Sequence, residues 1–208
     1  RMLDTGRFDD QLNFWKKQLA VPLPRIDFPS VGKRPRKLTL RTGRLSLDIA
    51  ATVGAAIHEL ARRQKTTPFV VLVAALNLWL YRLTGCRDLC VATLVANRQQ
   101  PHTESLIGYF VNAVVLRTRI ARRMSFDNLL QQTRTVAQQA FAHQDLPIAE
   151  LSRSLQGEGA EAISLYQVMV NYRRLADEPE YVAGLKFSHW SKVGDRAADP
   201  EVALTPAD

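Results

Sequence analysis

Cysteine is nearly missing from this chain: two residues in 208, Cys86 and Cys90. A disulfide framework is therefore not expected, and so small a cysteine content fits a reducing cytosol. Gly and Pro together number 20, too few for a collagen-like or low-complexity polypeptide. The longest apolar run, Phe69 to Leu80, is twelve residues broken by Asn77, well short of the ~20 that span a bilayer. It reads as a buried helix, and no membrane partner is expected. The first ten residues lack the apolar core of a secretory signal, which again points to the cytoplasm.

The motifs of several enzyme classes are also absent. The sequence has no G-x-S-x-G elbow, no Walker loop and no H-E-x-x-H. Its four histidines, His58, His102, His143 and His189, stand apart, with no two adjacent or four residues apart. Cys86, Cys90 and His102 lack a fourth ligand at structural spacing, and Cys90 sits in an apolar stretch. A small buried hydrophobe is the better reading, and no metal is expected.

What is present is ordinary globular material: 46% hydrophobic and 23% charged, with a net charge of +8. A chain of ~150 residues or more buries roughly 70% of its extended surface and needs no staple. The basic excess allows an anionic partner. Its densest part, Lys33 to Arg44, has six basic residues and no aromatic for base stacking, so a charged strand edge is favoured and nucleic acid disfavoured.

Periodicity places the elements. Phe8, Leu12, Trp15 and Leu19 mark one face of a short helix, and Pro22, Pro24 and Pro29 then suggest an extended connector. Leu38, Leu40, Leu45 and Leu47 are spaced as strands. Asp48 is the expected N-cap of a helix with an Ile49, Val53, Ile57, Leu60 stripe. Thr67 and Pro68 open a second helix, apolar nearly all round, which Gly85 closes. Leu89 to Val95 and Val111 to Ile120 read as strands. Ser125 caps a long helix, Pro147 to Leu155 adds a short one, and Tyr166 to Tyr172 and Leu185 to Trp190 are further strands. The order predicts an α/β fold, a mixed β-sheet covered by helices. The domain is expected over 1–190, with a lead-in helix at 1–20, a connector at 21–37 and a flexible tail or linker at 191–208.

Five segments resemble a known family. Ile107-Gly108-Tyr109-Phe110-Val111-Asn112 with Leu116-Arg117 is similar to the I-G-x-F-V-N-T…R motif of nonribosomal peptide synthetase condensation domains. His143-Gln144-Asp145-Leu146-Pro147 resembles their H-Q-D-x-P-F-E motif. Val95-Ala96-Asn97-Arg98 resembles V-A-N-R, Tyr166-Gln167-Val168-Met169 resembles F-Q-V-M, and Phe14 to Leu19 resembles the Y-W-K-x-Q-L helix. All five occur in the family's order, from about residue 10 to 175. Ala113 departs from the usual Thr, Ile148-Ala149 from Phe-Glu, and Ala92 and Leu94 from Gly and Pro.

The resemblance implies one lobe of a chloramphenicol acetyltransferase-like fold, namely the C-terminal lobe. In the family the reaction is amide formation between carrier-bound aminoacyl and peptidyl thioesters. The histidine motif for it, H-H-x-x-x-D-G, belongs to the other lobe and has no match here, so no residue of this chain is assigned a catalytic role. The implied partners are an N-terminal condensation lobe, an adenylation domain and a peptidyl carrier protein whose 4'-phosphopantetheine arm brings the substrate. No cofactor is expected to bind the chain directly, and self-association through the uncovered lobe face is an expectation. The alternatives are a two-piece transferase completed by a separate N-lobe, and a basic module for an acidic partner.

The resemblance also nominates site residues. For Asn112 two readings are open: a polar group lining the substrate channel, or a strand-end asparagine bonded to backbone. Asn97, Arg98 and Arg117 join it on the acceptor side, the arginines as phosphate or carboxylate partners or, more plainly, as surface salt bridges. Gly108, His143, Gln144, Asp145 and Pro147 are expected to be structural, fixing the exit turn of the long helix.

Overall fold

The computed structural model describes residues 8–29, 45, 47–100, 103–156, 165–172, 180–182, 185–187 and 201–204. Five helices lie among them: α1 (Asp9–Gln18), α2 (Ala51–Arg63), α3 (Pro68–Thr84), α4 (Phe126–Ala142) and α5 (Ile148–Leu155). The strands are β1 (Asp88–Val95), β2 (Asn112–Arg119), β3 (Val168–Asn171), β4 (Glu180–Val182), β5 (Leu185–Phe187) and β6 (Glu201–Leu204). Four of them form a sheet in the order β2-β1-β3-β6, and β4 and β5 make a separate pair. β1 pairs antiparallel with β2 and parallel with β3, so the sheet is mixed, as the element order predicts.

Register divides the sheet into two faces. Residues opposite one another on paired strands share a face, so Leu89, Val91, Thr93 and Val95 lie with Thr118, Leu116, Val114 and Asn112. The helices cover this face: Asn77 of α3 donates from Nδ2 to the Thr118 hydroxyl at 3.2 Å, and α4 packs on both β2 and α3. Cys90 and Arg117 share the other face, over which the chain following α1 passes. Leu89 to Ala92 are buried without a break, because both faces are covered there.

Local chemistry explains the helix ends. The Thr67 hydroxyl accepts from the Val70 N–H, Pro68 is the first helical residue of α3, and Gly85 ends the helix at φ 73°. Ser125 accepts from the Asn128 N–H at the start of α4. At α2 the outcome differs from the sequence reading. Ala50, in extended conformation, precedes the first turn, and Asp48 lies before it without capping. Only Ile57, Leu60 and Ala61 of α2 reach the core, whereas Ile49 and Val53 stand about half exposed.

Two further strand expectations change. Leu45 and Leu47 are exposed and in no strand, while Leu38, Leu40 and the Lys33–Arg44 stretch lie outside the described residues. Within the expected tail at 191–208, Glu201–Leu204 instead pairs antiparallel with β3. The free edge of β3 carries unpaired backbone groups, and a strand beside it satisfies them. β4 has no counterpart in the sequence reading, being only three residues long.

Candidate functional site

Four of the five resembling segments meet at one end of the sheet, where β1 exits and β2 begins. After Val95 the chain turns at Asn97, whose φ of 52° is left-handed, a conformation asparagine tolerates better than most side chains. Arg98 then organises the loop that follows. Its guanidinium donates to the carbonyls of Thr103, Leu106 (2.8 Å) and Gly108 (3.4 Å), and lies 4.1 Å above the Phe110 ring. Phe110 also explains Gly108: a Cβ there would meet the ring at 3.0 Å. Arg98 thus binds backbone of its own loop, and the loop displays Ile107 and Tyr109 to solvent, 105% and 90% exposed.

Asn112, the first residue of β2, is 8% exposed and joins three elements. Its Nδ2 donates to the carbonyls of Gln144 (2.7 Å) and Leu146 (2.8 Å), while Oδ1 accepts from the Ile148 N–H (3.1 Å). Both donors are occupied. Of the two readings open for Asn112, the geometry matches backbone bonding, though across more than thirty residues rather than to a neighbour. The side chain ties the exit of α4 to the start of α5.

The same exit turn is gripped from the other side by α1. Gln11 donates to Asp145 (3.1 Å) and accepts from the Leu146 N–H (3.0 Å), and the Trp15 indole donates to the His143 carbonyl (2.8 Å). The His143 ring stacks on Phe14 with centroids 3.8 Å apart, and its Nδ1 lies 2.8 Å from the Gln139 carbonyl. His143 is therefore held between an aromatic ring and a helix carbonyl. Pro147 leads directly into α5.

Arg117 sits at the opposite end of β2 from Asn112, so the structure does not bring these two candidates together. Its guanidinium grips Asp88 through Nε and Nη2 at 2.9 and 2.7 Å, and donates to the carbonyls of Gln18, Ala20 and Pro22. Arg117 is 7% exposed and Asp88 about one third exposed, so the pair is part-buried. Burial alone would raise the Asp88 pKa, but hydrogen bonding and charge from Arg117, with Arg119 adding, outweigh it and hold the carboxyl below its usual range. The Asp88 bond raises the Arg117 pKa in turn. Arg117 anchors the stretch after α1 to the sheet.

Between these gripped segments the motif end of the sheet opens into a cleft of about 270 Å³. Thr93 and Val95 of β1 line it with Phe69 from the first turn of α3 and Phe141 from the last turn of α4. Leu94, Ala96, Gln144 and Tyr172 complete the wall. No lining residue is a Lys, Arg, Asp or Glu. Among the described residues no group of three or more His, Cys, Asp or Glu is arranged for a metal, and no single helix is long and apolar enough to cross a membrane. Gln11, Trp15 and Phe69 were not singled out as functional from the sequence. Their spacing marks Trp15 as core, but nothing in it tells which distant carbonyl the indole meets.

Comparison with known proteins places the chain. A family model described as the condensation domain matches residues 1–193. The chain belongs to the condensation-domain family. Its relatives are nonribosomal peptide synthetases. It is 34% identical over 180 residues to a linear gramicidin synthase of Brevibacillus parabrevis, covering 86% of this chain and 4% of that protein. It is 37% identical over 151 residues to the phosphinothricin tripeptide synthetase PhsC of Streptomyces viridochromogenes, covering 73% and 14%. Against solved structures, a four-domain nonribosomal peptide synthetase bound to AMP and glycine superposes at TM-score 0.70 and 23% identity, over 81% of this chain and 13% of the other. The condensation domain of the Monacolin K polyketide synthase MokA does so at 0.64 and 24%, over 79% and 41%. The X-domain from teicoplanin biosynthesis gives 0.69 and 20%, over 89% and 51%. The fold is thus that of condensation domains, and the chain spans a small part of its curated relatives.

Proposed function

We propose that these residues form the C-terminal lobe of a nonribosomal peptide synthetase condensation domain. In complete form such a domain joins the amine of one carrier-bound aminoacyl group to the thioester carbonyl of another, releasing the donor's thiol. The observation that carries this reading is the ordering of the family motifs into one interlocked end of one sheet, in a chain without adjacent histidines. Asn112, Arg98, Gln11 and Trp15 are engaged with backbone there, so the motifs build a wall and supply no proton acceptor. A positioned base contributes about 10²- to 10⁴-fold, and on this reading it comes from residues outside these 208.

The lobe then acts as scaffold and docking surface for an N-terminal condensation lobe, an adenylation domain and a carrier protein bearing 4'-phosphopantetheine, in the cytoplasm. The test uses aminoacyl-loaded carrier proteins. The 208-residue chain by itself yields no dipeptide above background, and addition of a histidine-bearing N-terminal half restores product. Turnover by the chain alone overturns the reading. Restoration by a separately folded half identifies the two-piece form, and restoration only when the halves are fused identifies the single-chain form.

A further inference from the structure

The end of the sheet away from Asn112 carries positive charge that the fold does not use. β1 starts and β2 stops there, with Asp88 opposite Arg119, and the Ile120 N–H donates to the Arg87 carbonyl at 2.7 Å. A turn follows, closed by the Met124 N–H on the Ala121 carbonyl, and it holds Arg122 and Arg123. α3 reaches the same end with Arg82 in its last turn. All five arginines are exposed. Structural duties account for two of them: Arg82 faces the negative end of the α3 dipole, and Arg119 reaches Asp88 at 3.5 Å. Arg87, Arg122 and Arg123 have no carboxylate partner among the described residues. Asp127, in the first turn of α4, accepts from Gln64 instead. Beside these cations α3 displays an apolar ridge. Trp79 and Leu83, one turn apart on one face, are 51% and 40% exposed. About 20 Å of helix separates Leu83 from Phe69 in the motif-end cleft, so this is a different surface.

We infer that this end of the lobe docks an acidic polypeptide segment with an apolar anchor, its carboxylates on Arg87, Arg122 and Arg123 and its anchor on Trp79 and Leu83. The inference stands apart from the condensation-lobe reading. Its first support is composition: Trp and Arg are enriched where proteins meet and Lys is depleted, and every cation of this set is Arg. The planar guanidinium also takes a carboxylate through two parallel hydrogen bonds. Nucleic acid needs a succession of stacking platforms, and Trp79 is the one exposed aromatic side chain at this end among the described residues. An anionic bilayer needs a broad apolar face, and here two large apolar side chains stand on a single turn of one helix. Like charges gathered at one end repel one another in the lone chain, and an acidic partner relieves that repulsion.

The test uses the 208-residue chain, ¹⁵N-labelled, and a synthetic peptide of glutamates carrying two leucines. Its controls are a glutamate-only peptide of equal charge and a counterpart with lysine in place of glutamate. The glutamate–leucine peptide binds and shifts the Trp79 indole N–H resonance, its affinity falls with added salt, and the lysine counterpart does not bind. The glutamate-only peptide binds several-fold more weakly, because it lacks the anchor. Arg123→Glu weakens the glutamate–leucine peptide at least fivefold, and Arg87→Glu does the same should the first variant lose its fold. Arg153→Glu, an equal change of charge on α5, leaves the affinity within twofold. Trp79→Ser weakens it several-fold at constant charge. No binding of the glutamate–leucine peptide at low salt, an unmoved Trp79 resonance, or equal weakening by Arg153→Glu overturns the proposal. So does tighter binding of a single-stranded oligonucleotide or of phosphatidylserine vesicles than of the peptide. Because no substrate or amide product enters the measurement, failure of the condensation-lobe reading leaves this docking surface standing, and the reverse also holds.

Discussion

Gln167 and Ile26 form a reciprocal pair across 141 residues: the Ile26 N–H donates to Gln167 Oε1 at 2.5 Å, and Gln167 Nε2 donates to the Ile26 carbonyl at 3.0 Å. One side-chain amide thereby satisfies both backbone groups of a buried residue, much as a neighbouring strand would. The stretch after α1 lies against the sheet without strand pairing, held here and by Arg117. The Tyr166–Met169 segment thus carries a bond that binds the stretch after α1 to the sheet.

Gln167→Leu keeps the bulk but strands the Ile26 N–H and carbonyl. The expected loss is about 1–3 kcal/mol, the cost of leaving buried polar groups unpaired. Urea unfolding measures it, and hydrogen exchange at Ile26 quickens at the same time. An unchanged midpoint would show that the pair contributes nothing.

Asn112→Asp tests the staple by polarity rather than size. The new carboxylate presents oxygen to the carbonyls of Gln144 and Leu146, replacing two donations by two repulsions while the Ile148 N–H keeps its acceptor. Stability falls by about 2 kcal/mol or more at neutral pH. Because protonation relieves the repulsion, the deficit shrinks as pH drops toward the carboxylate range, and parallel denaturation series show whether it does.

Asp88 predicts an acid limb of the opposite sign. Its pKa is lower in the folded chain than in the unfolded one, despite the opposing effect of burial. The stabilisation is complete above the unfolded value of about 3.9 and is lost as pH falls through the folded value. Asp88→Asn is therefore less stable than the parent at neutral pH, and the two converge in acid. Arg117→Met, which leaves Asp88 and three carbonyls without that guanidinium, costs about 1–3 kcal/mol, the range for leaving buried polar groups unpaired. A variant that unfolds at the parental urea concentration would refute this.

Cys90 is 3% exposed, and burial pushes its thiol up to about 12, with the Arg117 charge pulling the other way. Burial also raises Cys86. Since the thiolate is the reactive form, Cys90 stays silent to a disulfide reagent at about pH 8 until the chain unfolds, and Cys86 reacts more slowly than a free thiol. Counting thiols with and without denaturant gives the answer, and rapid labelling of both in the native chain would contradict it.

The elements themselves were legible in the sequence because their causes are local. The hydroxyls of Thr67 and Ser125, the ring of Pro68 and the bare backbone of Gly85 act within one helical turn, and the mostly apolar, little-alternating run at Leu89–Val95 already points to an interior strand. Asp48 is no cap because α2 starts only at Ala51, which leaves Ala50 in the capping position. β6 escaped notice because a four-residue strand is defined by the edge it completes.

The motifs identified the family from order and spacing, yet spacing is silent about which atoms meet. Asn112 and Arg98 are equally compatible, as letters, with holding a substrate or holding the chain. In the folded chain both side chains donate to backbone carbonyls, those of Asn112 lying more than thirty residues away and those of Arg98 within its own loop. The cleft, too, comes from the folded chain: Phe69, Thr93 and Phe141 belong to three separate elements, and only their packing leaves a space between them.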